Sequence, residues 1–330
     1  MNTGGEKGIV LAFTGDVMLG RLVNEMTGHT GPYYVWGDTL PLLKKADLRL
    51  INLECVIAED GKPWDRSPKV FFFRADPHAV DVLKTAGIDY VSLANNHTLD
   101  FGEEALLEML RILDEAGIDH AGAGKNLSEA EKPAVLEAGD IRVGVISFTD
   151  NEPSFAATET SPGTNYIPIT LADGVMRRVK AAVDEARSTS DIVVFSIHWG
   201  PNMRERPTQL FREFAHAVIE MGADIFHGHS AHIFQGIEIY REKLIMYDTG
   251  DYIDDYYVGP GEKNDQQLLF LVTVLNGKIK KVEMIPVEIS MCQVNVARGD
   301  VYKEISERIT SLSEEFGTKV EKIEHESCYF

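Results

Sequence analysis

Apolar positions along this chain fall into short runs, and most of those runs stop abruptly on a polar cluster. Gly8-Ile9-Val10-Leu11-Ala12-Phe13-Thr14 is almost unbroken apolar sequence, the pattern of a strand buried on both faces, and it ends at Gly15-Asp16. From Leu48 to Glu54 polar and apolar side chains alternate, Ile51 excepted, which puts Asn52 and Glu54 on one strand face. Val91 to Ala94 predicts a strand that runs straight into Asn95-Asn96-His97-Thr98-Leu99-Asp100. Ile141 to Phe148 reads as another strand, Asp191 to Ile197 delivers His198-Trp199-Gly200, and Ala223 to Phe226 delivers His227-Gly228-His229-Ser230-Ala231-His232. Ile237 to Tyr240 and Lys243 to Tyr247 lead to Asp248-Thr249-Gly250-Asp251, while Leu268 to Leu275 and Ile279 to Val287 flank Asn276-Gly277, a strong hairpin signal.

Helical spacing fills the intervals. Asp76-Pro77 is a cap and first-turn pair for a helix reaching Ala86, which Gly87 stops. Glu103 to Ala116 carries Leu106, Leu107, Leu110 and Leu113 on one face and ends at Gly117. Further helices are expected over about Leu171 to Arg187, Thr208 to Met221, and Asp300 to Phe316, the last on the outside. Lys69 to Arg74 holds a β-prone run of three phenylalanines; Asp119 to Gly139 reads mostly as loop; Asp150 to Pro168 is a linker or a surface loop over a cleft. Alternating strands and helices make this an α/β chain. In open α/β sheets the carboxyl ends of strands face a crevice, so Asp16, Glu54, Asn96, His97, Asp100, His198, His229 and His232 form one candidate set. Each has a plainer explanation by itself: Asp100 as cap of the helix near Gly102, Asn-Asn as loop chemistry, a single histidine as a satisfied core residue.

Composition narrows the class. With 330 residues, 44% hydrophobic and 25% charged, the chain has ample material for a globular core, and a single domain is expected, its core over about 8–290 and a C-terminal extension with an outer helix over 291–330. No apolar run approaches the eighteen or so residues of a membrane span. Cys55, Cys292 and Cys328 are widely spaced and form no Cys-x-x-Cys pair, which argues against a disulfide framework or thiolate metal site and points to a cytoplasmic setting. A formal net charge of −20 disfavours nucleic acid and anionic lipid as partners, since both need a basic face. Nothing here fixes an oligomeric state. Carboxylate, amide and imidazole donors without thiolate suit one or two divalent ions of the Mn²⁺, Fe²⁺ or Zn²⁺ kind.

The motifs Phe13-Thr14-Gly15-Asp16-Val17-Met18-Leu19-Gly20-Arg21, Asn52-Leu53-Glu54, Ala94-Asn95-Asn96-His97, His198-Trp199-Gly200, Gly228-His229-Ser230-Ala231-His232 and Tyr247-Asp248-Thr249-Gly250-Asp251 resemble, in this order, the CapA family. That is the poly-γ-glutamate capsule biosynthesis group, itself similar to the calcineurin-like metallophosphoesterases, and the resemblance runs from Gly8 to the C-terminal helix. It implies a four-layer αββα sandwich of two mixed sheets with a metal site along one rim. It also implies roles: Asp16 as a first-strand ligand, Glu54 as the bridging carboxylate, Asn96, His198 and His229 on a second metal, and His232 completing the first. His97 would assist as proton donor, oriented by Asp100.

The activity so implied is metal-dependent hydrolysis, of phosphoester bonds above all, by a metal-bound hydroxide on a small-molecule or polymer substrate bearing phosphate or carboxylate. Arg21 or Arg74 would offer a fork to such an anion, whereas Arg204 reads as a solvated surface residue. The chain departs from the superfamily at Met18, where a histidine is usual; a thioether is a poor ligand for these ions, and Asp251 is the candidate to complete the first metal. Two alternatives stand beside this: an accessory factor in poly-γ-glutamate synthesis or export, and a metal-dependent γ-glutamyl amide hydrolase.

Overall fold

In the computed structural model, which describes residues 8–321, the strand Gly8–Val17 is flanked on both sides. Gln266–Leu275 pairs with it antiparallel and Leu48–Leu53 parallel, and its two faces are buried in different clusters, Leu11 and Phe13 in one and Ala12 and Val17 in the other, which explains its unbroken apolarity. An eight-stranded mixed sheet follows, in the order Gln293–Val296, Lys278–Ser290, Gln266–Leu275, Gly8–Val17, Leu48–Leu53, Tyr90–Ser92, Asp119–Ala121, with Asp251–Ile253 added parallel to the end of Gly8–Val17. A six-stranded mixed sheet runs Ile237–Tyr240, Lys243–Met246, Ile225–His229, Ile192–His198, Ile141–Thr149, Ala134–Ala138.

Side-chain parity shows how the sheets stack. Leu11, Phe13, Leu48, Leu50 and Tyr90 of the larger sheet share one buried cluster with Val143, Val145, Val194 and Ile225 of the smaller. The opposite faces are covered by helices. Ala79–Ala86 and Gly102–Ala116 bury Val82, Leu83, Leu106, Met109 and Leu113 against the larger sheet. Asp173–Thr189 and Gln209–Glu220 bury Val179, Val183, Phe214 and Val218 against the smaller. The result is the helix, sheet, sheet, helix layering of an αββα sandwich.

Four expectations change. Residues 119–139 are built from short elements, the strands Asp119–Ala121, Ala123–Gly124 and Ala134–Ala138 and the helix Leu127–Ala130, each too brief to leave a periodic signal. Within Lys69 to Arg74 only Arg74 is strand, as the first residue of Arg74–Ala75, and the three phenylalanines are not. Gln293–Val296 extends the larger sheet, so the sheet continues past residue 290, and the helix Gly299–Glu314 keeps an outer face at Lys303, Glu307 and Ser311 while burying the other. Its Ile305, Ile309 and Leu312 enter the cluster between the sheets and close that layer at one end. Residues 322–330 of the expected C-terminal extension lie outside the described residues. Finally, the helix after Asp76-Pro77 begins at Ala79, and the Asp76 carboxylate accepts from Asn24 Nδ2 at 2.9 Å and Arg74 Nη1 at 3.0 Å instead of capping it. Among the described residues no helix is long and apolar enough to cross a membrane.

Candidate metal centre

The apolar layer between the sheets turns polar at the carboxyl ends of its central strands, and the same parity rule delivers the change. On Ile192–His198 the inward positions run Ile192, Val194, Ser196, His198; on Ile225–His229 they run Ile225, His227, His229. Pairing aligns His198 with His229. From the facing sheet, Asp16 lies in register between Asn52 on one side and Asp251 on the other. Two glycines permit the close approach. A Cβ on Gly15 would lie 2.0 Å from the Gly250 carbonyl oxygen, and one on Gly228 would lie 2.1 Å from that of Tyr247. Ser230 (φ 119°) and His232 (φ 60°) sit in backbone regions unfavourable to side-chain-bearing residues, at the turn that swings His232 back toward Asp16.

Two groups of ligand-type atoms result, each gathered within 4.8 Å: Asp16 with His198 and His229, and Asp16 with Glu54, His232 and Asp251. Asp16 belongs to both, where the resemblance gave the joining role to Glu54. In the first group His198 Nδ1 and His229 Nδ1 are 3.0 Å apart, and Asp16 Oδ1 is 3.7 and 3.5 Å from them. In the second, His232 Nδ1 lies 2.8 Å from Asp251 Oδ1 and 3.7 Å from Asp16 Oδ2. Glu54 Oε1 lies 3.9 to 4.0 Å from the Nε2 atoms of His97, His198 and His232.

These side chains are almost wholly buried, and Asp16 Oδ2, Glu54 Oε1, Asn96 Oδ1 and Asp251 Oδ2 have no hydrogen-bond partner. Burying an ion costs several kcal/mol even after relaxation, and a hydrogen bond to a charged group returns about 1.5–3 kcal/mol. Asp16 receives a side-chain donor from Asn52 Nδ2 at 2.8 Å and Glu54 one from Tyr256 OH at 2.9 Å, which does not close that gap. No lysine or arginine is paired with any of the three carboxylates among the described ion pairs. Burial first, then the neighbouring carboxylates, push Glu54 and Asp251 well above the ordinary carboxylate range. Orphaned oxygens, mutual repulsion and a mixed O/N donor set fit a divalent cation, which supplies the missing positive charge.

His97 stands at the edge of this group with a different set of partners. Its Nδ1 is 2.6 Å from Asp100 Oδ2, which also accepts Phe73 N–H at 2.7 Å, and its ring stacks on Phe73 at 3.9 Å between centroids. Lys69 Nζ is 3.2 Å from Asp100 Oδ1 and donates to the Asn96 carbonyl oxygen at 2.6 Å. Asp100 is therefore committed to His97, Phe73 and Lys69, and the helix beginning at Gly102 has no side-chain cap. Burial pushes Asp100 up to about 8, against the pull of Lys69, while burial and Lys69 together hold His97 well below the ordinary histidine value. Asp100 engages His97 Nδ1, and Nε2 faces Glu54 Oε1 at 3.9 Å.

A family model described as Bacterial capsule synthesis protein PGA_cap matches residues 10–256. The chain belongs to that family. Curated relatives include the capsule biosynthesis protein CapA of Bacillus anthracis, 30% identical over 249 residues, covering 75% of this chain and 60% of that protein. A probable polyglutamine synthesis accessory protein of Mycobacterium tuberculosis is 31% identical over 94% of this chain and 93% of its own length. The PGA biosynthesis protein CapA of Bacillus subtilis is 28% identical over 74% of this chain and 63% of its own length. Among solved structures, that of TT1561 of Thermus thermophilus aligns with a TM-score of 0.45 at 11% identity, covering 84% of this chain and 98% of that one.

In this PGA_cap protein several residues outside the candidate set brace the centre. Asn95 Nδ2 ties Asn52 Oδ1 (3.1 Å) to the Leu53 carbonyl (2.8 Å), and its Oδ1 accepts His97 N–H at 3.0 Å. Ser196 Oγ holds His229 Nε2 at 3.0 Å, which leaves Nδ1 for the centre. Asp248 accepts Ala231 N–H and Gly250 N–H at 2.9 Å each, bracing both turns of the site; burial and Asp16 raise it to about 8. Arg21 stands at the rim, its Nε and Nη2 on the Asp255 carboxylate at 3.1 and 2.5 Å and its guanidinium 5.1 and 5.7 Å from the Phe73 and Tyr256 ring centroids. Arg74 is turned elsewhere: its Nη1 binds the Ala58 and Glu59 carbonyls and Asp76. Met18 Sδ accepts Gly20 N–H at 3.1 Å, and the side chain packs in the outer core rather than the centre.

Proposed function

We propose that this PGA_cap protein is a metal-dependent hydrolase of phosphoester bonds. The observation that carries the reading is the open Nε2 of His97, fixed through Nδ1 to Asp100 and pointing to Glu54 Oε1 beside two ligand groups that share Asp16. Asp16, His198, His229 and Asn96 would hold one divalent ion, and Asp16, Glu54, His232 and Asp251 the other. When bound, such ions act as Lewis acids on a phosphoryl oxygen and lower the pKa of water. His97 would relay a proton through Nε2, taking it from the attacking water and giving it to the leaving oxygen, while Asp100 holds the ring in place through Nδ1. Phe73 and Tyr256 cover the pair, and Arg21, carried over these rings, would fork a substrate anion in exchange for Asp255.

The test is turnover of bis(p-nitrophenyl) phosphate by protein stripped of metal and reloaded with Mn²⁺ or Zn²⁺. Metal-dependent release of nitrophenolate that His97→Ala suppresses supports the reading; equal release by both proteins rejects it. The relatives' names, capsule biosynthesis and polyglutamine synthesis, favour a second reading, in which this protein serves polyglutamate synthesis; the same centre would then hydrolyse γ-glutamyl amide bonds. Mass spectrometry of poly-γ-glutamate incubated with the metal-loaded protein separates the two, because only amide hydrolysis shortens the polymer.

A further inference from the structure

We propose that the centre is divided by ion type: the Asp16, His198 and His229 corner takes an ion of the zinc or iron kind, and the Asp16, Glu54, His232 and Asp251 corner an oxygen-preferring ion of the manganese or magnesium kind. This rests on the reading of the pocket as a metal centre and adds a distinct ion class for each half.

The imidazole corner turns two ring nitrogens, His198 Nδ1 and His229 Nδ1, to one point beside Asp16 Oδ1. Ser196 Oγ occupies His229 Nε2 at 3.0 Å, so Nδ1 is the nitrogen offered to the corner. Beside His198 Nδ1 stands Asn52 Nδ2, 3.4 Å away, with Asn52 Oδ1 engaged by Asn95. The two Nδ1 atoms are 3.0 Å apart. Ligand bonds of about 2.0–2.1 Å place donors on one ion about 2.9–3.4 Å apart, and this pair meets that spacing. Two imidazoles and one carboxylate suit the borderline ions.

The other corner has the reverse composition. Three carboxylates meet a single imidazole, and Asp254 adds an unpartnered Oδ2 beside Asp251. Tyr256 OH occupies Glu54 Oε2, so the bare Oε1 is the atom offered. Thiolate and thioether donors are absent from it, the Met18 sulfur being bound to Gly20 N–H. Carboxylate oxygens in this proportion favour harder cations, and their summed negative charge needs a doubly charged one. Asp16, with Oδ1 near the imidazole pair and Oδ2 near His232, joins the two corners through different atoms.

The experiment titrates metal-free protein with one equivalent of Zn²⁺ and then with Mn²⁺, counting zinc by elemental analysis and bound Mn²⁺ by electron paramagnetic resonance. One of each per chain is expected. Asp251→Asn, nearly isosteric, should weaken Mn²⁺ by about 100-fold with the zinc count unchanged, and His229→Ala should weaken Zn²⁺ by a similar factor with Mn²⁺ retained. Should Asp251→Asn melt far below the parent, Asp251→Glu replaces it, with Mn²⁺ weakened about tenfold and Zn²⁺ again unchanged. An Asp251→Asn protein that keeps its Mn²⁺ affinity, or a parent that takes up two Zn²⁺ equally and leaves no place for Mn²⁺, overturns the division. A protein that binds no divalent ion overturns the division and the metal-centre reading together. Divided ions without phosphoester turnover would uphold the division and remove only the phosphoester reading.

Discussion

The two sheets bring unlike chemistry to one seam. The six-stranded sheet contributes imidazoles from adjacent parallel strands, backed on its far face by Phe148, Phe195 and Phe226, whose rings stack at 5.2 and 5.4 Å. The eight-stranded sheet contributes Asp16, Glu54 and Asp251 from strand ends held together by Asn52 and Asn95. A buried imidazole meets little penalty when neutral with one hydrogen bond, and His229 has one from Ser196. A buried carboxylate has no such resting state except by keeping a proton. The histidine side is therefore preformed, while the carboxylate side carries the demand for charge.

The largest test of this contrast is Asp16→Asn, which removes the one residue common to both sides. Affinity for both ions should fall by about 100-fold or more, and turnover with it; loss of one ion alone, read by elemental count, would show that the sides do not share Asp16. His97→Ala comes next, with kcat lowered by about 10²–10⁴-fold and two ions still bound. Loss of metal in that variant would move His97 from proton transfer to ligation.

The third test uses pH. Asp100 and Asp248 are raised from 3.8 to about 8, so their contribution to stability is full below about 4 and is lost as pH climbs toward 8. His97, His227 and His229, all lowered by burial, act in the opposite direction, but only below the ordinary histidine value of 6.5. Between pH 6.5 and 8 the carboxyl side acts unopposed, and His232, which Glu54 and Asp16 raise against the pull of burial, has the same sign. The melting temperature of chelator-treated protein should fall by a few degrees across this window, and a divalent ion should raise it more at pH 8 than at pH 6.5. A flat or rising profile would contradict the carboxylate account. Smallest is Lys69→Met, which strips Asp100 of its cationic partner. A loss of about 1–3 kcal/mol in stability and a reduced kcat with unchanged metal content are expected by urea titration and kinetics.

Much of this seam was legible because polar side chains interrupted apolar runs: Asp16, His198, His229 and His232 each follow a strand whose periodicity stops at them. Glu54 and Asn96 were legible for the same reason. The layering was legible from strand and helix alternation, though the sandwich itself came with the family resemblance. Lys69, Phe73 and Tyr256 were not, since each acts through a partner 24 to 202 positions away, as Phe73 with His97 and Tyr256 with Glu54. Lys69 stands among Pro68, Val70 and Phe71, and its burial under Asp100 has no local signature. Asp100 carried two readings, helix cap and partner of His97; contact with His97 and Lys69 keeps the second, and the helix goes without a side-chain cap.

The place of Gly8–Val17 in its sheet sets a timetable for manufacture. Among the first described residues to leave the ribosome, it finds a parallel neighbour in Leu48–Leu53 early, but its other edge stays open until Gln266–Leu275 has emerged. Asp251, opposite Asp16, arrives scarcely sooner. Until then a nascent chain carries a sticky strand edge and an unassembled seam, a long-range closure of the kind that makes folding slow and aggregation a hazard.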